Sequence, residues 1–162
     1  MASPRSLRWV ALALGSAALL AVWLYPTDEK RVKEAAQALV TAANQSPGEL
    51  SQALEANAVP DVRVSVAELS EPLAGRGALV AAVVQAQELA PKLRFRIESV
   101  DVSLEGNRAR LTADLITTWQ PELPELRRPR HSAALFEKRA GRFRLVSAEI
   151  GPERLDQPEA RP

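Results

Sequence analysis

From Trp9 to Tyr25 the chain reads WVALALGSAALLAVWLY, without a single charged residue. No other feature constrains the fold so strongly. At a helical rise of about 1.5 Å per residue, these roughly 17 residues reach about 26 Å, close to the hydrocarbon thickness of a bilayer. A buried core helix would need a polar face, and this run has none. Trp9 at one end, and Trp23 with Tyr25 at the other, suit the lipid–water boundary, and Pro26 ends the helix. A cleaved secretory signal needs small residues before the cut, yet Val22, Trp23, Leu24 and Tyr25 are bulky. We therefore expect a retained single-pass anchor over 9–25, behind a short cytoplasmic start over 1–8. Arg5 and Arg8 precede the span, so the positive-inside rule directs the rest of the chain outward. The expected location is a bacterial inner membrane, with the soluble part periplasmic or extracytoplasmic.

The chain beyond the anchor is long enough for one core and not for two. With no cysteine in the 162 residues, neither a disulfide framework nor a thiolate metal site can be built. Thr27 is a plausible N-cap for a helix whose stripe is Val32, Ala36, Leu39, Val40 and Ala43, ending near Asn44. Ser46, Pro47, Gly48 and Glu49 form a capping box with proline at the first helical position, which starts a second helix. Val62, Val64 and Val66 alternate with polar residues as a strand. A third helix comes after Gly75–Gly77, carries Leu79, Val80, Val83, Val84 and Leu89, and closes at Pro91.

Beyond Pro91 the period is two, which points to consecutive antiparallel strands and an α+β fold. Leu93, Phe95 and Ile97 give way at Ser99 to Val100, Val102 and Leu104, a change of phase that predicts a bulge or bend. Gly106 and Asn107 turn the chain into a strand carrying Ala109, Leu111, Ala113 and Leu115. Strands around 132–138 and 143–150 close the domain, which is expected over 27–150 with a disordered tail over 151–162.

Two helices, a strand, a helix and four strands, together with the stretch EPLAGRGAL and the closing hairpin LFEKRAGRFRLVSAEI, resemble the nuclear transport factor two-like family. The resemblance implies a cystatin-like, cone-shaped α+β fold with a curved sheet wrapped around a helix. Enzymes of that family, such as ketosteroid isomerases and polyketide cyclases, hold a carboxylate or histidine base and a tyrosine or acid donor inside the cone. This chain has one tyrosine, Tyr25, at the membrane boundary, and one histidine, His131, in an arginine-rich stretch that reads as surface. Asp114 alternates with apolar Ala113 and Leu115, so it should face away from the cone and pair with Arg108 or Arg110. Glu68, Ser99, Thr117, Trp119 and Glu149 could line a pocket mouth. No histidine–carboxylate spacing suits zinc or calcium, and Gly75-Arg76-Gly77 lacks the phosphate-loop signature. We expect no catalytic residue, no metal and no cofactor.

Charge is more informative than motif. Residues 28–91 hold nine acids and five bases, whereas residues 92–144 hold seven acids and twelve bases. Arg94, Arg96, Arg108, Arg110, Arg142 and Arg144 all fall opposite the apolar phase and should share the outer face of the sheet. The plain reading of that face is solvated arginine; the functional one is a contact surface for an acidic protein, anionic lipid or a second copy. Nucleic acid is not expected, because the face lacks aromatic stacking residues. The expected function is a membrane-tethered, non-enzymatic interaction module of the cell envelope, similar in plan to the bitopic subunits of type IV secretion channels. The alternative is a binder or enzyme for an apolar small molecule in the cone.

Overall fold

A computed structural model describes residues 27–91, 93–119 and 128–153. The expected anchor, with Trp9, Trp23 and Tyr25, lies outside the described residues, as does the segment 154–162 of the expected tail. Among the described residues no helix is long and apolar enough to cross a membrane.

Helix α1 (Asp28–Ala43) starts where Thr27 accepts a hydrogen bond from the Lys30 amide, with Asp28 and Glu29 in its first turn to complement the helix dipole. Helix α2 (Pro47–Asn57) starts as its capping box predicts, with the Ser46 hydroxyl accepting from the Glu49 amide. Strands β1 (Ala58–Val66) and β2 (Leu73–Ala74) precede helix α3 (Arg76–Leu89), and β3 (Leu93–Glu105), β4 (Arg108–Trp119), β5 (Arg128–Arg139) and β6 (Arg142–Glu153) come after it. The order α, α, β, α and then four strands is the one the sequence predicts. Only the two-residue β2 is additional.

The strands form one six-stranded sheet in the order β2-β1-β6-β5-β4-β3. Every pairing is antiparallel except that of β1 with β6, so the sheet is mixed. Helices α1 and α2 bury their stripes on one face of it, and α3 packs Leu79, Val80 and Val83, half-buried, against the same core. The core there joins Val32, Ala36, Leu50 and Leu54 of the helices to Val62, Ala109, Leu111, Phe136, Phe143 and Leu145 of the strands. Because side chains alternate across a strand, the residues between these point to the opposite, outer face.

Two of the register shifts in the sheet keep that alternation aligned with the core. Glu98 pairs with Asp114 and Asp101 with Thr112, which leaves Ser99 and Val100 opposite Ala113 alone. Ser99 takes a positive φ of 53° there, and Val100 and Val102 rejoin the core face. The predicted change of phase is therefore a β-bulge. The second bulge has no such signal in the sequence: Leu135 pairs with Ser147 and Phe136 with Leu145, so Val146 is the extra residue in β6.

Strand ends extend beyond expectation. Strand β5 starts at Arg128 and β6 continues through Gly151 to Glu153, because Arg130 and Glu153 still pair. Residues 151–153 thus belong to the sheet and not to a tail. Leu89, the last residue of α3, is 81% exposed.

Candidate functional site

The strand register places all six arginines of the expected basic set on the outer face. Arg94 and Arg96 pair across from Thr118 and Ile116, Arg108 and Arg110 from Glu137 and Leu135, Arg144 from Glu137, and Arg142 from Arg139. None of these pairs is on the core phase. Their chemical states differ, however. Arg96 is neutralised by Glu98 at 2.6 Å, and Arg108 faces Glu137 at 3.5 Å. Glu137 also accepts two hydrogen bonds from Arg139, which holds its carboxyl below the ordinary value. Arg94 donates to the Leu93 carbonyl. Arg110, Arg142 and Arg144 make no ion pair among the described residues, and neither does Arg63, which lies outside the set that strand alternation singles out.

Three of these unpaired cations surround a weakly polar centre. One cross-strand row on the outer face runs Ser103, Arg110, Leu135, Ser147, Arg63, and a neighbouring row holds Thr112 and Ala133. Arg144 sits diagonally from Leu135, one row on. No described helix packs against this face, since the helix residues of the core all meet the opposite one. Arg63 is not legible as part of the face because β1 lies far from the other strands in the chain and joins them only through its parallel pairing with β6.

The expected pocket residues do not converge. Thr117 lies on the core face, half-buried, paired with Phe95. Trp119 is placed only through its backbone pairing with Leu93. Ser99 is exposed in its bulge. Glu149 pairs with Ala133 and Ser65 on the outer face, because the Val146 bulge shifts the phase of β6 by one residue. Asp114 faces outward as expected, but its partner is His131, with Oδ1 and Nδ1 3.7 Å apart, and not Arg108 or Arg110. His131 is itself on the surface, its side chain 54% exposed.

Glu68 lies after β1, where Arg130 reaches it from the core face of β5. Both carboxylate oxygens accept from Nη1, at 2.6 and 2.7 Å, while Nη2 donates to Glu153 at 3.0 Å. Those donated hydrogen bonds hold the Glu68 carboxyl below its ordinary value. The cluster joins the loop after β1 to the far ends of β5 and β6. One guanidinium holds both carboxylates, so the cluster acts as a clasp. Arg130 belongs to β5, although its sequence context suggests a loop.

The interior offers little chemistry either. Phe136 is 1% and Phe143 4% exposed, and both belong to the core between the helices and the sheet. No polar or charged residue is buried among the described residues, and no group of three metal-ligating side chains occurs among them. A cleft of about 570 Å³ lies at the far end of the sheet, lined by Leu69, Ala133, Ile150 and Pro152 with His131 and Glu149 at its polar side. Most of its strand residues belong to the outer face, so it is not the cone interior.

The fold is cystatin-like, of the NTF2-like type. An NTF2-like protein of unknown function from Pseudomonas putida superposes with a TM-score of 0.64 at 11% identity, over 83% of this chain and 96% of its own. An NTF2-like protein with a cystatin-like fold from Novosphingobium aromaticivorans gives 0.63 at 19% identity, over 91% and 93%. A protein of unknown function with a cystatin-like fold from Nostoc punctiforme gives 0.63 at 12% identity, over 79% and 92%. At these identities the likeness is one of fold. No family model matches the chain, and no curated protein matches it at a significant level.

Proposed function

We propose that this chain is a membrane-tethered, non-enzymatic interaction module of the cell envelope, which offers the outer face of its sheet to an acidic protein surface. The observation that carries this reading is the row Arg110–Leu135–Ser147–Arg63 with Arg144 beside it. Arginine at the edge of a desolvated patch and a small apolar centre suit an interface, with charge supplying orientation and on-rate. A second copy docked by the same face through a two-fold axis would bring basic rows together, so an acidic partner fits better than a self-pair. The apolar interior between the helices and the sheet supports a structural role for the cone over a catalytic one. The tether rests on the uncharged run Trp9–Tyr25.

Photo-crosslinking tests this reading. A photoreactive residue at Leu135 of the full-length protein, in its own membrane, should crosslink a partner through a segment rich in Asp and Glu, mapped by mass spectrometry. Arg110→Glu with Arg144→Glu should abolish the product. A product that persists in the charge-reversed protein, or one that joins two copies of this chain through Leu135, contradicts the acidic-partner reading.

A further inference from the structure

Lys138 Nζ contacts Asp28 Oδ2 at 2.8 Å, although 110 residues separate them. Asp28 is the first residue of α1, and Lys138 stands at the end of β5, next to the Ala140–Gly141 turn. The Lys138 amide also donates to the Asn107 carbonyl at 2.7 Å, which brings the Gly106–Asn107 turn to the same place. Both long hairpins therefore end beside the start of α1. From Tyr25 to Asp28 the chain can extend only about 10 Å at roughly 3.4 Å per residue. If Trp9–Tyr25 spans the bilayer, the two hairpin turns sit at its surface.

Charge at that end matches such a position. Its described residues, from the first two turns of α1 and the two hairpin ends, are Lys30, Arg31, Lys33, Arg108, Lys138, Arg139, Arg142 and Arg144 against Asp28, Glu29, Glu34, Glu105 and Glu137. Eight bases oppose five acids. Arg139 and Arg142 flank the Ala140–Gly141 turn, both exposed, and Arg142 has no ion-pair partner among the described residues. Arginine beside an anionic leaflet is attracted over about a Debye length, roughly 8 Å at physiological ionic strength. The turns lie about 10 Å or less from the end of the proposed span, a distance comparable to that reach.

From these placements we infer that the hairpin end of the sheet is a membrane-contact surface for anionic lipid headgroups, centred on Arg139 and Arg142. This inference rests on the proposed tether. It fixes the orientation of the domain, with the turns at the bilayer and the far ends of β5 and β6 directed away from it. The row around Leu135 then remains open to a partner.

The chain has no cysteine, so single reporters can be introduced cleanly. Asn107→Cys reports on the hairpin end, and exposed Pro152→Cys on the other end of β6, roughly 30 Å away at strand rise. Full-length protein carrying a fluorophore at one site is reconstituted in vesicles of phosphatidylcholine alone or with phosphatidylglycerol, each bearing a headgroup quencher. The expected result is several-fold stronger quenching at position 107 than at 152 in phosphatidylglycerol vesicles. That excess should fall in phosphatidylcholine, at about 1 M salt, and in Arg139→Gln with Arg142→Gln. Salt acts on the unaltered chain, so the test does not depend on how the variants fold. Protein that fails to sediment with vesicles overturns the tether and this inference together. Protein that sediments with equal quenching at both sites overturns the orientation alone. Stronger quenching at 107 that ignores lipid charge and salt overturns the headgroup contact.

Discussion

Lys138 extends its ammonium to within 2.8 Å of the Asp28 carboxylate while lying 5.4 Å from the centre of the Phe143 ring. One side chain thus ties the first turn of α1 to the closing hairpin. Both partners of the ion pair are about one-third exposed, so its electrostatic part is modest, and the cation–π contact adds about 0.5–1 kcal/mol. Lys138→Ala should destabilise the domain by about 1 kcal/mol, read as a lower urea midpoint. In a double-mutant cycle with Asp28→Ala the coupling should be below about 1 kcal/mol, since Phe143 holds the remainder.

Asn44 grips the edge strand in a way that invites a sharper loss. Its Oδ1 accepts from the Phe95 amide at 2.8 Å, and its Nδ2 donates to the Phe95 carbonyl at 2.7 Å. The side chain takes the place of a neighbouring strand for that one residue, which covers part of an otherwise open edge. Asn44→Ala leaves both groups half-buried without a partner and should cost about 1–3 kcal/mol. Hydrogen exchange at the Phe95 amide should accelerate well beyond the global change in stability.

Ala140 carries a positive φ of 49° ahead of Gly141 at 77°, the conformation of a two-residue type I′ hairpin turn. Holding an L-residue with a Cβ there costs roughly 1–2 kcal/mol, and asparagine tolerates it better. Ala140→Asn should therefore raise stability by about 1 kcal/mol, visible as a higher melting temperature. Arg139 and Arg142 stay in place, so vesicle contact should not change.

The Glu68–Arg130 clasp gives an acid dependence of known sign. Hydrogen bonds from Arg130 hold the folded-state pKa of Glu68 below its unfolded value. Its contribution is then complete at neutral pH, above the unfolded value of about 4.3, and is lost as pH falls through the lower folded value. Glu68 is half-exposed, its side chain 51% accessible, so the size is at most about 1 kcal/mol. Unfolding midpoints from pH 7 down to 3 should fall less steeply for Glu68→Gln than for the unaltered chain.

Local chemistry makes much of this fold legible in the sequence. Capping by Thr27 and Ser46, the alternation of the strands and the Ser99 change of phase each depend on neighbours in the chain, and each is found as predicted. The Val146 bulge is invisible there because Leu145, Val146 and Ala148 read equally well in either phase, and that one residue moves Glu149 to the outer face. Arg63 and Arg130 are hidden for another reason. Their neighbours come from parallel pairing of β1 with β6 and from a contact between Arg130 and Glu68 across 62 positions, neither of which has a periodic signature.

The tether, the orientation of the domain and its place in the envelope all depend on whether Trp9–Tyr25 stays in the chain as an anchor. Alkaline carbonate extraction of membranes containing the full-length protein tests that directly. The protein should stay in the membrane pellet, as an inserted span does. Its release into the supernatant would contradict a retained anchor.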